Sequence, residues 1–190
     1  MNVNVPAMNP MYDSVELVPS VREQDHIQGL LNAPAILVEY GDYQCFDVAQ
    51  TYSTVLELQH RLGDRLCFVF RHFPMSNHPQ ARKAAEAAIA AAAQGKFWQM
   101  HGCLLAHQST LTDADLVECA IELELDIPQF LQNVTGKAHE DHIQADIDSG
   151  IRSGVTKIPT FFINSIRYQG SCDLESLLAA IAQAPASRSD

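Results

Sequence analysis

Two short apolar runs, residues 35–40 and 66–73, stand on either side of a helical stretch, and strand-forming residues do not return until Thr160. This interrupted order constrains the fold more than any other feature of the chain. The first run carries Ile, Val and Tyr and reads as a buried strand. From Phe46 the pattern turns helical: Tyr52, Val55, Leu56 and Leu62 fall at helical spacings, and Gly63 sits just past the end, where a left-handed cap belongs. Residues 66–73 form the second strand, which Pro74 ends. A strand–helix–strand unit leaves sheet faces that further elements must cover.

Those elements follow. Pro79 suits a first helical position, residues 81–94 are rich in alanine, and Gly95 ends that helix. A second helix spans 97–107. Thr112 and Asp115 resemble a capping box before Leu116 and Val117. Asp126 caps a short helix through Pro128 and Phe130, and 139–152 closes the block. Strands then return at 160–164 and 166–168, with Asn164-Ser165 as the turn between them, and a last helix covers 173–182. The expected architecture is α/β, a small mixed sheet with helices on both faces and a helical insertion at about 78–153. Residues 1–28, with three prolines and little periodicity, read as an arm with a short helix over 23–31. Residues 29–185 read as one domain, and 186–190 as a frayed tail.

A chain of 190 residues can bury one full core. Its formal net charge of −11 repels phosphate backbones and anionic lipid, so nucleic acid and membranes are not expected partners. Residues 1–20 lack a basic start followed by an apolar run, which leads to the expectation of a cytoplasmic protein. The five cysteines, at 45, 67, 103, 119 and 172, are odd in number and contain no CxxC pair. Neither a zinc cage nor a disulfide framework is expected, and Cys67, Cys103 and Cys119 read as small buried hydrophobes. His139, Asp141, His142 and Asp146 share a helix face that reads as solvated rather than metal-binding. His72 and His78 receive no role.

Cys45 opens a helix, where unpaired N–H groups and the macrodipole favour a thiolate. Asp47, on the same turn, opposes it. The order of elements, together with VEYGDYQC (38–45), FRHFP (70–74), AAEAAIAAAAQGKFWQMH (84–101) and IPTFFIN (158–164), resembles the thioredoxin superfamily, and its DsbA-like members in particular. The resemblance implies a thioredoxin-like fold with a helical insertion between the strand–helix–strand unit and the C-terminal hairpin and helix. It also marks a departure. The family's Cys-x-x-Cys positions are here Cys45, Phe46, Asp47 and Val48, so the attacking thiol is present and the resolving one is valine. A dithiol–disulfide cycle within this motif is chemically impossible.

The same resemblance implies that Glu39 is a buried acid with a raised pKa, serving as general base. It makes Ile158-Pro159 the family's cis-prolyl bond beside the reactive sulfur, with the Ile158 backbone free to pair with an extended substrate. Phe46 and Lys157 join that substrate face. Gly170, Ser171 and Asp173 precede the last helix at a spacing similar to that of glutaredoxins, which hold a glutathione carboxylate there; capping by Asp173 is the plainer reading. Cys172 is a candidate resolving thiol from outside the motif. Three functions are compatible with these residues. One is a single-cysteine oxidoreductase acting on protein or peptide disulfides, with no bound cofactor and with glutathione as co-substrate or Cys172 as resolving thiol. Another is a non-catalytic peptide-binding module. The third is a glutathione-dependent isomerase or transferase.

Overall fold

The computed structural model describes residues 11–184. The first ten residues of the expected arm and the tail 186–190 lie outside the described residues. Six strands form one sheet: β1 (Tyr12–Glu16), β2 (His26–Gln28), β3 (Ala35–Gly41), β4 (Leu66–His72), β5 (Thr160–Ile163) and β6 (Ile166–Tyr168). The helices are α1 (Phe46–Leu62), α2 (Ala81–Ala92), α3 (Phe97–Ala106), α4 (Asp113–Glu122), α5 (Ile127–Thr135), α6 (Glu140–Arg152) and α7 (Leu174–Gln183). The strand order is β1-β6-β5-β3-β4-β2. Among the described residues β3 and β4 are the one parallel pair, from Ala35 opposite Leu66 to Gly41 opposite His72. β5 pairs antiparallel with β3, Leu37 facing Ile163 and Tyr40 facing Thr160.

Central position explains why β3 and β4 read as continuous apolar runs: both faces are covered. Leu37, Phe68, Phe70 and Phe161 pack with Val55 and Leu58 of α1 and Leu177 of α7. Val38, Tyr40, Val69 and Phe162 pack on the opposite face with Leu17 and Val155. By strand alternation Glu39 shares the face of Leu37 and lies under α1. Alanine-rich α2 is the hub of the insertion, contacting α3, α4, α5 and α6, because its methyl side chains let four helices approach. The Thr112–Asp115 capping box and the Asp126 cap form as expected. Asn164 and Ser165 both take positive φ, 47° and 69°, as a two-residue hairpin turn requires. No helix among the described residues is long and apolar enough to cross a membrane.

Two expectations are corrected. Residues 11–28 are not an arm, and no helix forms over 23–31. β1 pairs with β6 and β2 with β4, so this segment supplies both edges of the sheet. Its anchor is Arg71 of β4, fully buried and donating to both Asp25 carboxylate oxygens, to the Pro19 and Ser20 carbonyls, and to Tyr40 and Ser149 hydroxyls. The Trp98 indole adds a bond to the Ile27 carbonyl. Tertiary hydrogen bonds of this kind override weak local propensity. Secondly, Cys103 and Cys119 are not free thiols; they form a disulfide between α3 and α4. The short turn over 107–112 folds α4 back on α3, which sequence spacing alone does not reveal. Cys67 is buried in β4 as expected, its thiol pushed up to about 11 by desolvation.

Candidate active site

Cys45 is the N-cap of α1, with extended backbone and no side-chain capping bond. It is 9% exposed, and its Sγ donates to the Ile158 carbonyl at 3.8 Å. The Ile158–Pro159 bond is cis. Burial pushes the Cys45 thiol up, and the Asp42 and Asp47 charges add to this; backbone N–H groups of Asp47 and Val48 pull the other way. The helix-start effect expected from sequence is therefore present, but desolvation outweighs it and the net direction is upward.

Val48, at the position of the missing second thiol, is 1% exposed. Its two methyl groups would lie 3.1 Å from a Cβ placed on Gly41, so the glycine at the end of β3 is what lets α1 seat on the sheet. Three residues on, Thr51 shares its hydroxyl between the Val48 carbonyl at 2.9 Å and the Glu39 carboxyl at 3.1 Å. Glu39 is 2% exposed, and burial pushes its pKa up to about 8 against the lowering effect of the Thr51 bond. It is thus a neutral acid at pH 7. The Cys172 thiol is also raised, mainly by burial.

A groove of about 460 Å³ runs beside this centre, lined among others by Asp47, Thr51, Lys157, Ile158, Pro159 and Cys172. Ser171 and Asp173 also face it. A second cleft, of about 390 Å³, shares Lys157, Pro159 and Cys172 and adds Gly170. The groove lies between α1, the segment 157–159 and the start of α7, whereas the second cleft runs along β5 and β6. Asp173 caps α7, accepting from the Ser176 backbone N–H; together with the Ser171 and Ser176 hydroxyls this holds its carboxyl at about 2. Phe46 projects next to Cys45, 65% exposed despite its size. The sequence-derived candidates therefore gather in one region, with Cys172 facing the groove.

Sequence reasoning missed the residues that hold the loop before Cys45. Asp42, buried, accepts from the Gln44 and Met75 backbone N–H groups and pairs with His78 Nδ1 at 2.8 Å. Gln44 Oε1 accepts from the Gln80 N–H. The Tyr43 hydroxyl lies 3.1 Å from Nδ1 of His101, whose pKa burial lowers to about 3. Thus Asp42, Tyr43 and Gln44 are each tied to the segment that opens the insertion or to α3. A polar residue at each of three successive loop positions was the available signal.

A sequence model of the thioredoxin family matches residues 21–183. Among curated proteins, the chain is 42% identical over 171 residues to the Na(+)/H(+) antiporter NhaA 1 of Salinispora arenicola, covering 88% of this chain and 26% of that protein. It is 41% identical over 174 residues to the antiporter NhaA 3 of Salinispora tropica, covering 90% and 26%. The chain thus spans about a quarter of the length of the curated relatives it matches. Among solved structures, a thioredoxin-like oxidoreductase from Silicibacter pomeroyi superposes with TM-score 0.77 at 22% identity, covering 85% of this chain and 92% of the other. The thiol-disulfide exchange protein α-DsbA2 of Wolbachia pipientis gives 0.75 at 21%, covering 84% and 86%. These structural likenesses establish a shared fold.

Proposed function

Since the chain belongs to the thioredoxin family and has the DsbA-like form of its fold, we propose that it is a thiol–disulfide oxidoreductase working through Cys45 alone. The observation that carries this reading is the Cys45 sulfur at the start of α1, facing the Ile158 carbonyl beside a groove that a second thiol, Cys172, lines. The Cys45 thiolate attacks a protein or peptide disulfide, one S–S bond forms as another breaks, and the leaving thiolate departs. A second thiol, glutathione or Cys172, then attacks the mixed disulfide and releases Cys45. With Glu39 protonated at neutral pH and Thr51 bridging it to the groove, Glu39 serves as the proton store for that second step. Phe46, Lys157 and Ile158 bear on the substrate chain, Ser171 and Asp173 line the side of the groove that a glutathione would meet, and Gly170 lines the adjoining cleft.

A raised Cys45 pKa has a consequence for the mechanism. A poorly acidic thiol is a slow leaving group, and Val48 supplies no internal nucleophile. Mixed disulfides at Cys45 are therefore long-lived, which suits capture of a substrate better than rapid turnover. The same raised pKa favours a second reading, a peptide-binding module using the same groove. The Cys103–Cys119 disulfide favours an oxidising compartment over the cytoplasmic expectation.

The test is reduction of a protein disulfide by the native chain, Val48→Cys, and Val48→Cys with Cys45→Ser. Well-oriented groups can reach effective molarities of about 10⁵ M or more, so the introduced thiol should outrun solvent thiols. Valine to cysteine changes little volume at a packed site. The expected result is slow native reduction, a rate at least tenfold higher in Val48→Cys, and none in the double variant. Activity in the double variant contradicts the role of Cys45. A Val48→Cys protein that forms the Cys45 disulfide yet stays inactive, while the native chain and Cys45→Ser bind an extended peptide equally, supports the binding module instead.

A further inference from the structure

A second set of chemically able side chains lies on the helical insertion. Cys103 and His107 stand one turn apart on α3 and its C-cap, and Cys119 and Glu122 nearly one turn apart on α4. At such spacings each pair shares a helix face, and the two faces meet where α3 packs on α4. His107 Nδ1 lies 3.7 Å from the Cys103 sulfur and 3.7 Å from the Cys119 sulfur. Glu122 Oε2 lies 3.8 Å from the Cys103 sulfur. The donor atoms of Cys103, His107 and Cys119 all fall within 4.8 Å of one another.

Those separations have a specific meaning. With metal–sulfur bonds of about 2.3 Å and metal–nitrogen or metal–oxygen bonds of about 2.0–2.1 Å, neighbouring ligands of a tetrahedral zinc ion stand roughly 3.5–3.8 Å apart. Three of the six edges of such a tetrahedron, from His107 to each sulfur and from Glu122 to Cys103, are already near this length. A fourth edge, between the sulfurs, is a covalent bond, with the two Cα atoms 6.0 Å apart, and exposed Glu122, outside the close group of three, must swing inward to complete the other two. We propose that the reduced chain binds one zinc ion through Cys103, Cys119, His107 and Glu122, and that the disulfide is the oxidised form of the same site.

The conversion balances. A dithiol or phosphine reductant supplies two electrons, and two protons are taken up as the S–S bond becomes two thiols. Zinc binding then displaces both thiol protons. Nδ1 of His107 now lies 2.9 Å from the Cys103 carbonyl; its proton moves to Nε2, which frees the Nδ1 lone pair for the metal. Two thiolates and an imidazole select zinc over magnesium or calcium, which take oxygen ligands. Cys103 and His107 are partly exposed and Glu122 is exposed, so the ion has an open approach.

The experiment reduces the whole chain with a phosphine, removes the excess, and titrates with cobalt(II), followed by zinc. The expected result is one equivalent of tetrahedral cobalt with a thiolate charge-transfer band, displaced by zinc. Oxidised chain should show no such band. Cys119→Ser should weaken binding at least 100-fold and His107→Ala at least tenfold, while Cys45→Ser and Cys172→Ser should bind as the native chain does. Binding that persists in Cys103→Ser with Cys119→Ser, or that needs Cys45, overturns the proposal. Circular dichroism covers the case in which reduction unfolds the insertion: recovery of helix at one equivalent of zinc supports the site, and no recovery overturns it. A reduced chain that stays folded and takes up no metal also overturns it.

Discussion

Glu39 carries its proton at neutral pH because it is buried, and this links stability to pH. The folded carboxyl titrates near 8, whereas in the unfolded chain it ionises near the ordinary glutamate value of about 4.3. Between these values the folded state holds a proton that the unfolded state releases, so this contribution is full below the lower value and is lost as pH rises through 8. Glu39→Gln cannot ionise and should gain stability relative to the native chain from pH 5 to pH 9, by on the order of a few kcal/mol. Asp146, raised to about 7, and buried His26, lowered to about 3, also bend the curve, in opposite senses. The quantity to measure is therefore the difference between variant and parent in urea midpoint at the two pH values. Parallel curves would show that Glu39 is already ionised. At this scale the sequence was informative where chemistry and the resemblance coincide: Cys45, Glu39 and Pro159 were singled out and lie in one region. Asp42 and His78 were not, because a loop aspartate and a distant histidine acquire meaning only when the chain brings them to 2.8 Å.

Among the elements, helices were the most legible. Caps at Thr112, Asp126 and Asp173 mark their own positions, and the parallel pair β3–β4 announces itself by unbroken apolar runs. β1 and β2 did not, since an edge strand buries one side at most and β2 has only three residues. What places them is Arg71, and that arrangement makes a quantitative expectation. Asp25 is the carboxylate partner of a guanidinium that is 1% exposed in its side chain. Removing one member of a buried pair leaves an uncompensated charge and typically costs about 3–5 kcal/mol, whereas removing both is much cheaper. Asp25→Ala should show that loss in chemical denaturation, and Arg71→Met added to it should recover part of it. Additive losses, or a single variant that costs under about 1 kcal/mol, would mean that the pair does not hold the N-terminal segment to the sheet. Neither the pair nor the Cys103–Cys119 bond could be read from spacing, because each joins residues whose neighbourhood is made by packing.

For the molecule as a whole, the family fold survives with its exchange motif cut to one sulfur, and the surroundings of that sulfur decide what remains. Burial lowers its acidity, Val48 fills the place of its partner, and Cys172 lines the groove beside it. These features agree with a chain that captures disulfides and holds them. The most direct check is to expose the native protein briefly to oxidised glutathione, quench with acid, and locate the adducts by peptide mass spectrometry across pH 7 to 10. Cys45 should be modified before Cys67 and Cys172, at a rate that climbs with pH across this range, and the Cys45 adduct should persist when the oxidant is removed. Modification of Cys172 or Cys67 ahead of Cys45, or a Cys45 that stays free while either of them reacts, would contradict the role of Cys45.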